Sequence, residues 1–203
     1  MNKGQMTGLG CLAIIVIAAL IIGFSFWGTY NKLVSQQQNV EAKWAQVENV
    51  YQRRADLIPN LVATVKGYAS HEKEVLETVT ASRAQVGSMR VTPEILNNTA
   101  EFQKFQQAQA GLTSALSRLM VVVERYPELK ANQNFLELQS QLEGTENRIT
   151  VERMRFNEAA QEYNVTLMQF PTNIAARLFG FQKKAYFQSA PGSERAPVVD
   201  FTK

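Results

Sequence analysis

An apolar run near the N-terminus constrains this chain more than any other feature of its sequence. No residue from Leu9 to Trp27 carries a charge. As a helix the run would rise about 28 Å, close to the roughly 30 Å hydrocarbon core of a bilayer. We therefore predict one transmembrane anchor. Its apolar residues are Leu9, Leu12, Ile14, Ile15, Val16, Ile17, Leu20, Ile21, Ile22, Phe24, Phe26 and Trp27.

A cleaved signal peptide is the competing interpretation of this run. Such a peptide has a shorter apolar region, followed by small residues at the cleavage site. Here the run ends in aromatic residues, and Trp27 and Tyr30 are typical of side chains at the headgroup level. These flanks favour an uncleaved, single-pass protein of the cell membrane. Lys3 and the free amine on one side balance Lys32 and Lys43 on the other, which leaves both orientations open.

Charge and cysteine content narrow the range of partners. Lys and Arg number 21 against 18 Asp and Glu, a net charge of +3. Nucleic-acid binding needs basic side chains clustered on one face, and no such stripe occurs, so no nucleic-acid partner is expected. The one cysteine, Cys11, lies within the apolar run. The rest of the chain therefore offers no thiol for a disulfide or a metal.

Apolar residues after the anchor recur at spacings of three and four, the pattern of a helix with one buried face. Arg54 occupies one slot of this stripe, and Pro59 interrupts it. A proline inside a helix removes a backbone donor and clashes with the preceding turn, which predicts a kink or a short break. The first stripe consists of Leu33, Val40, Trp44, Val47, Tyr51, Ile58, Leu61, Val65 and Tyr68.

Two further stripes predict later helices. Thr92 and Pro93 are typical of a helix start, and this helix should end at Tyr126-Pro127. The last long helix is expected to begin near Asn134, with Glu137 as a capping-box partner. Its stripe is the most regular in the chain: Phe135, Leu138, Leu142, Thr145, Ile149, Phe156, Ala160, Tyr163, Leu167 and Phe170.

These patterns predict an all-α fold, because no segment shows the period-two alternation of a sheet. We expect an N-terminal transmembrane helix followed by an antiparallel, up-and-down bundle. The bundle should have three long helices and a short C-terminal one, or four if the chain breaks at Pro59. The predicted domains are the anchor over residues 1–30, the bundle over 31–188 and a loose, proline- and glycine-containing tail over 189–203.

Catalytic motifs are missing from the sequence. His71 and Glu72 would begin a zinc-protease motif, but the second histidine is replaced by Val75. No glycine-rich phosphate loop or nucleophile elbow occurs. Glu72 and Glu74 are better explained as a solvated helix face than as an acid–base pair. We therefore expect no enzyme, no catalytic residue, no metal site and no cofactor.

Ten polar residues at the edges of the stripes form the candidate site. Since Arg54 stands in an apolar slot, its head must reach solvent or an acidic partner. We predict that Arg54, Asp56 and Arg148 share one cluster between the first and last long helices. The cluster is either a network that fixes helix register or a docking surface. The candidates are Arg53, Arg54, Asp56, Asn60, Glu146, Asn147, Arg148, Arg155, Asn157 and Asn164.

A basic and aromatic segment lies near the C-terminus. From Arg177 to Phe187 aromatic side chains alternate with basic ones. Such a segment is able to lie on an anionic membrane surface. Alternatively, Phe179 and Phe181 cap the open end of the bundle, since large apolar residues are usually buried.

Motifs along most of the chain resemble the LemA family of bacterial membrane proteins. The resemblance runs from about Tyr30 to Phe187, in the family's order and without a departure in the motifs. The first half contains Tyr30 to Val34, Trp44, Arg53 to Val62, Val65 to Tyr68, and His71-Glu72. The second half contains Arg125 to Asn132, Thr145 to Ile149, Tyr163-Asn164, Phe170-Pro171 and Phe179 to Phe181.

The resemblance implies a single-pass cell-membrane protein with a helical bundle and no settled function. Together with the anchor and the missing catalytic motifs, it leads us to expect a membrane-tethered interaction or scaffold protein. The competing hypothesis is a lipid-binding or envelope-remodelling protein that acts through the segment from Arg177 to Phe187. The expected partners are the lipid bilayer and another membrane or envelope protein, and a homo-oligomer is left open.

Overall fold

The computed structural model describes residues 3–89 and 92–188, without the side chains of residues 3–13, 18, 19 and 22. Every helix or strand assigned within these ranges is a helix, so the predicted all-α class is confirmed. The predicted tail at 189–203 lies outside the described residues. The helices are α1 Lys3–Tyr68, α2 Lys73–Gly87, a 3-10 helix Pro93–Asn97, α3 Thr99–Val123, α4 Pro127–Lys130, α5 Gln133–Met168 and α6 Thr172–Phe179.

The first helix, α1, continues without a break through Pro59, so the alternative of a chain break there is wrong. A proline at this position leaves the carbonyl four residues earlier, that of Ala55, without its usual donor. The Nε of Arg83, on α2, donates a hydrogen bond to this Ala55 oxygen at 2.9 Å. A side chain from a neighbouring helix therefore satisfies the carbonyl that Pro59 leaves free.

The chain does break, but at residues 69–72, where α1 ends and α2 turns back. Glu72 in this turn accepts a hydrogen bond from the Tyr126 hydroxyl at 3.0 Å and pairs with Arg125 at 3.2 Å. The turn at the end of α3 thus holds the turn at the end of α1. The bundle accordingly has four long helices, α1, α2, α3 and α5, with α6 as the short C-terminal one.

Asparagine side chains cap the two later long helices. Asn98 accepts hydrogen bonds from the backbone N–H groups of Ala100 and Glu101, which caps α3. Thr92 instead precedes the 3-10 helix and makes no capping hydrogen bond. Asn132 caps α5 by accepting from Phe135 N–H at 3.0 Å. The helix begins at Gln133, one residue before the predicted start near Asn134.

Two helix pairs build the bundle: α5 packs along α1, and α3 packs along α2. One core lies near the start of the bundle and is rich in aromatic rings. It contains Trp44, Tyr51, Phe102, Phe105, Phe156, Tyr163 and Phe187. The other lies toward the turn between α1 and α2 and is mostly aliphatic. It contains Ile58, Leu61, Val65, Leu76, Val79, Leu112, Leu119, Val123 and Leu129.

The predicted anchor lies on the N-terminal part of α1. Leu9, Leu12 and Ile22 have side chains outside the described part of the chain. The other predicted anchor residues, from Ile14 to Trp27, are exposed, except that Phe26 is half-buried. Within the part of the chain that the structure describes, no helix is both long enough and apolar enough to cross a membrane.

Candidate functional site

A groove of about 460 Å³ lies between α3 and α5. Tyr51 and Arg54 of α1 are among its lining residues, and Phe187 and Gln188 reach it from the C-terminal segment. The groove exists because α3 and α5 pack mainly on different partners, α2 and α1. Its remaining lining residues are Gln103, Gln106, Gln107, Gln109, Ala110 and Thr113 of α3, and Glu146, Ile149 and Arg153 of α5.

The Arg54 side chain is almost completely buried, with 2% of its surface exposed. Its guanidinium donates hydrogen bonds to Thr113 Oγ1 at 2.9 Å, to Glu146 Oε2 at 2.9 Å and to the Gln109 side-chain oxygen. The same group lies 5.1 Å from the centre of the Tyr51 ring. A charge this deeply buried must be paired, and Glu146 supplies the opposite charge.

Three polar residues interrupt the apolar stripes at the same level of the bundle. Arg54 lies between the core residues Tyr51 and Ile58, whereas Gln109 follows Phe105 and precedes Leu112. Thr145 holds the equivalent place in α5 and is also buried. This polar layer, Arg54, Gln109 and Thr145, separates the aromatic core from the aliphatic core.

The acidic partner of Arg54 differs from the one we predicted. Asp56 is exposed and accepts a hydrogen bond from Gln52, one turn away on the same helix. Arg148 is exposed as well. The predicted cluster of Arg54, Asp56 and Arg148 is therefore wrong, because a helix turns about 100° per residue and carries Asp56 to a different face from Arg54. Glu146, one of the ten candidates, takes that role.

Most of the other candidates lie apart from this layer. The exposed ones are Arg53, Asn60, Asn147 and Arg155. Arg155 pairs with Glu152 on its own helix at 2.7 Å. Because it is exposed and paired on its own helix, Arg155 has no part in the buried network. Surface pairs of this kind contribute about 0–1 kcal/mol to stability.

Asn157 and Asn164 have a separate task, which is to hold the extended segment 181–188 against α5. The Asn164 amide donates to the Lys184 carbonyl at 2.8 Å, and its oxygen accepts from Lys184 N–H at 2.9 Å. Asn157 makes the same pair of bonds to Phe187, at 3.0 and 2.9 Å. Asn157 and Asn164 are seven residues apart on a helix, a rise of about 10.5 Å, and residues 184 and 187 are three extended residues apart, about 10 Å. The two asparagines are therefore spaced to reach both backbone positions.

The segment 181–188 also completes the aromatic core. The Phe187 ring lies 4.9 Å from that of Phe102 and 6.0 Å from that of Trp44. Phe181 is partly buried against the same core. These two aromatic residues of the basic segment therefore face the bundle.

Burial changes the pKa of two groups at the contact between this segment and α5, Lys184 and Tyr163. Burial lowers the pKa of Lys184, whose ammonium donates to the Asn97 side chain at 2.8 Å; Glu41 and Glu94 partly oppose this shift. Burial, reinforced by the Glu41 carboxylate, raises the pKa of Tyr163 to about 12. At neutral pH Tyr163 is thus firmly neutral.

Arg153 is a groove residue that the sequence did not single out. Its guanidinium lies 4.4 Å from the centre of the Phe187 ring, and no salt bridge to it occurs within the described ranges. Burial raises the pKa of the Tyr51 hydroxyl in the same groove, while Arg153 and Arg54 oppose the rise. The groove therefore combines one cation free of an ion pair with glutamine amides.

Gln109 was also missed, although its place in the stripe between Phe105 and Leu112 carried the signal. Arg153 left no such signal, because it occupies no apolar slot. Over residues 3–89 and 92–188, no group of three or more His, Cys, Asp or Glu side chains is placed to hold a metal ion.

The protein is therefore all-helical within the described residues. A long N-terminal helix continues into a four-helix bundle, a buried arginine layer divides the core of the bundle, and a polar groove lies beside this layer. The chain belongs to the LemA family, whose model matches residues 43–201. The resemblance seen in the sequence is thereby confirmed.

Individual relatives cover almost the whole chain. Magnetosome protein MamQ 1 of Paramagnetospirillum magneticum is 26% identical over a gapped alignment of 215 positions, which covers 98% of this chain and 78% of the relative. MamQ of Magnetospirillum gryphiswaldense has the same identity and coverage. Protein LemA of Metamycoplasma hominis is 24% identical over 192 residues, which is 93% of this chain and 84% of the relative.

Proposed function

We propose that this protein is a membrane-anchored scaffold whose groove between α3 and α5 binds an extended segment of another envelope protein. The anchor is the apolar run from Leu9 to Trp27. Its length and its aromatic end support this assignment, as does the single-pass architecture that the family resemblance implies.

The continuity of α1 gives the anchored protein a defined geometry. The helix contains both the apolar run and the bundle residues, with no loop between them. From Trp27 to Arg54 a helix rises about 40 Å. The groove would therefore stand at a fixed height of that order above the bilayer, where it could meet a partner in the same membrane.

The observation that carries the binding proposal is that the protein already holds an extended segment on this side of α5. Asn157 and Asn164 bind the backbone of residues 184 and 187 through paired hydrogen bonds. Gln103, Gln106 and Gln107 line the groove that adjoins this segment. A glutamine amide offers a donor and an acceptor, so it can pair with an extended backbone as these asparagines do.

The charge of the groove indicates what the bound segment carries. Arg54 is neutralised by Glu146, whereas Arg153 stacks on Phe187 without an ion pair in the described part of the chain. An acidic side chain of the partner would complete a charge-assisted hydrogen bond with Arg153. The partner segment is therefore extended and contains an Asp or Glu.

Photo-crosslinking in living cells tests this proposal. A benzophenone side chain replaces Gln107, which is exposed in the groove, or Gln85, another exposed glutamine, which lies on α2 outside the groove. We expect an adduct from position 107 that position 85 does not give. Arg153→Gln should weaken its capture by about tenfold, since a hydrogen bond to a charged group is worth about 1.5 kcal/mol or more.

Identical adducts from both positions would refute a specific groove site, as would an adduct at 107 that is insensitive to Arg153→Gln. The peptide crosslinked at 107 is then sequenced by mass spectrometry. A partner segment that is helical, or that lacks acidic residues, would also contradict the proposal.

A further inference from the structure

Three large apolar side chains are left uncovered where α5 turns into α6. Phe170 is 80% exposed, Leu178 71% and Ile174 49%. They are spaced four residues apart, so Ile174 and Leu178 share the outer face of α6. The opposite face buries Ala175 and Ala176 against the bundle. The outer face therefore has no partner among the described residues.

This outer face lies beside the part of α1 that emerges from the apolar run. The Tyr30 ring lies 4.9 Å from the ring of Phe179 and 5.8 Å from that of Phe181. Tyr30 is three residues after Trp27, a rise of about 4.5 Å along the helix. The end of the apolar run and the exposed face of α6 are therefore close to the same level.

The chain segments that flank this face carry basic but no acidic side chains, whereas Glu41 and Glu94 lie close enough to Lys184 to affect its pKa. No Asp or Glu occurs from residue 1 to 40 or from 163 to 188, and 16 of the 18 acidic residues lie between residues 41 and 162. Lys32, Arg177 and Lys183 are exposed here. Cationic side chains around an exposed apolar helix face are the combination that binds an anionic membrane surface.

We infer that α6 rests on the headgroups of an anionic bilayer and inserts Phe170, Ile174 and Leu178 at the boundary with the acyl chains. The inference rests on the proposed anchor, because α1 brings α6 to the membrane. It assigns the outer face of α6 to lipid, whereas Phe181 and Phe187 of the same basic segment stay in the bundle. The bundle then contacts the membrane through α6 as well as through the anchor, so its orientation relative to the bilayer is restricted.

Spin-label accessibility in the full-length protein tests this inference. The single cysteine is removed by Cys11→Ser, and a nitroxide is attached at Leu178→Cys or, as a control, at Val121→Cys. The two side chains are equally exposed, at 71% and 70%, but Val121 lies near the far end of the bundle. A third label at Ile17→Cys reports on the anchor separately.

For each label we measure the ratio of collisions with oxygen to collisions with a water-soluble nickel chelate. In bilayers containing phosphatidylglycerol we expect this ratio to be several-fold higher for the Leu178 label than for the Val121 label. The ratio should fall in bilayers of phosphatidylcholine alone. It should also fall when Arg177→Glu and Lys183→Glu are combined, while the Ile17 label stays in lipid in every sample.

Three results would overturn the inference. A Leu178 label in water beside an Ile17 label in lipid would refute the contact of α6 and leave the anchor standing. Both labels in water would refute the anchor, and with it the inference. A Leu178 label shielded from both oxygen and nickel would mean that a protein surface, not lipid, covers α6.

Discussion

The two halves of the bundle differ in how they are closed. Toward the turn between α1 and α2, helices pack on helices, and the core consists mainly of aliphatic side chains. Near the start of the bundle the core consists largely of aromatic rings, and a non-helical segment completes it through Phe187. Arg54 marks the boundary. The groove therefore adjoins the half in which helix packing alone does not cover the core.

This difference gives the aromatic half the features that suggest function. An extended segment needs partners for its backbone, which Asn157 and Asn164 supply. A bulky aromatic core spaces the helices farther apart than an aliphatic one, which leaves room for that segment. The aliphatic half is closed by helices alone, so we expect it to be the more stable half.

The largest expected effect comes from removing the centre of the aromatic core. The Trp44 ring lies within 6.0 Å of four other rings, including those of Phe156 and Phe187. Trp44→Ala should lower the unfolding free energy by about 4 kcal/mol, and Leu61→Ala, in the aliphatic core, by about 3 kcal/mol. Urea unfolding of the full-length protein in detergent, followed by circular dichroism, measures both.

Hydrogen exchange sharpens this contrast. In Trp44→Ala the amide protons of residues 184 and 187 should exchange at denaturant concentrations where the rest of the bundle stays protected. In Leu61→Ala these amide protons should exchange only through global unfolding. Equal local release in both variants would mean that the two halves are not closed differently.

A smaller effect is expected from the asparagine pair. Asn164→Ala leaves the buried N–H and carbonyl groups of Lys184 without their partner, which should cost about 2 kcal/mol. Asn134→Ala, an exposed position in the first turn of α5, is the control and should change stability by less than about 0.5 kcal/mol. A similar cost for both would show that segment 181–188 is not held by Asn164.

The sequence predicted the helical class and most stripe residues, because a buried helix face repeats every three to four residues. Tyr68 and Phe170 were wrongly placed in the stripes, since both lie at or just beyond the end of a helix and are exposed. It also identified Arg54 as a charge in an apolar slot. It could not identify the partner, since Glu146 lies 92 residues away and only the packing of α5 on α1 joins them. The continuity at Pro59 was hidden for the same reason: Arg83 comes from another helix.

The smallest effect at neutral pH is expected for Tyr163→Phe. The Tyr163 hydroxyl is buried without a hydrogen-bond partner in the described structure, so its removal leaves no other group unsatisfied. Since the folded pKa of about 12 exceeds the ordinary tyrosine pKa of 10.0, Tyr163 favours folding below pH 10. That contribution is lost as pH rises from 10 towards 12.

The variant should therefore match the parent near pH 7 and lose less stability between pH 10 and 12. The lowered pKa of Lys184 acts in the opposite sense, because its penalty in the folded state disappears as pH rises. Lys184 is present in both proteins, so the difference isolates Tyr163. Parallel stability curves across this range would contradict the burial of a neutral Tyr163.

The Arg54 layer divides the two cores, and Glu146, not Asp56, is the acidic partner of Arg54. Comparing the unfolding free energies of Glu146→Ala and Asp56→Ala tests this most directly. Glu146→Ala should cost about 2 kcal/mol, less than for a fully buried pair because water reaches the half-exposed carboxylate. Asp56→Ala should cost less than about 0.5 kcal/mol. Equal costs, or a larger cost for Asp56→Ala, would contradict the account.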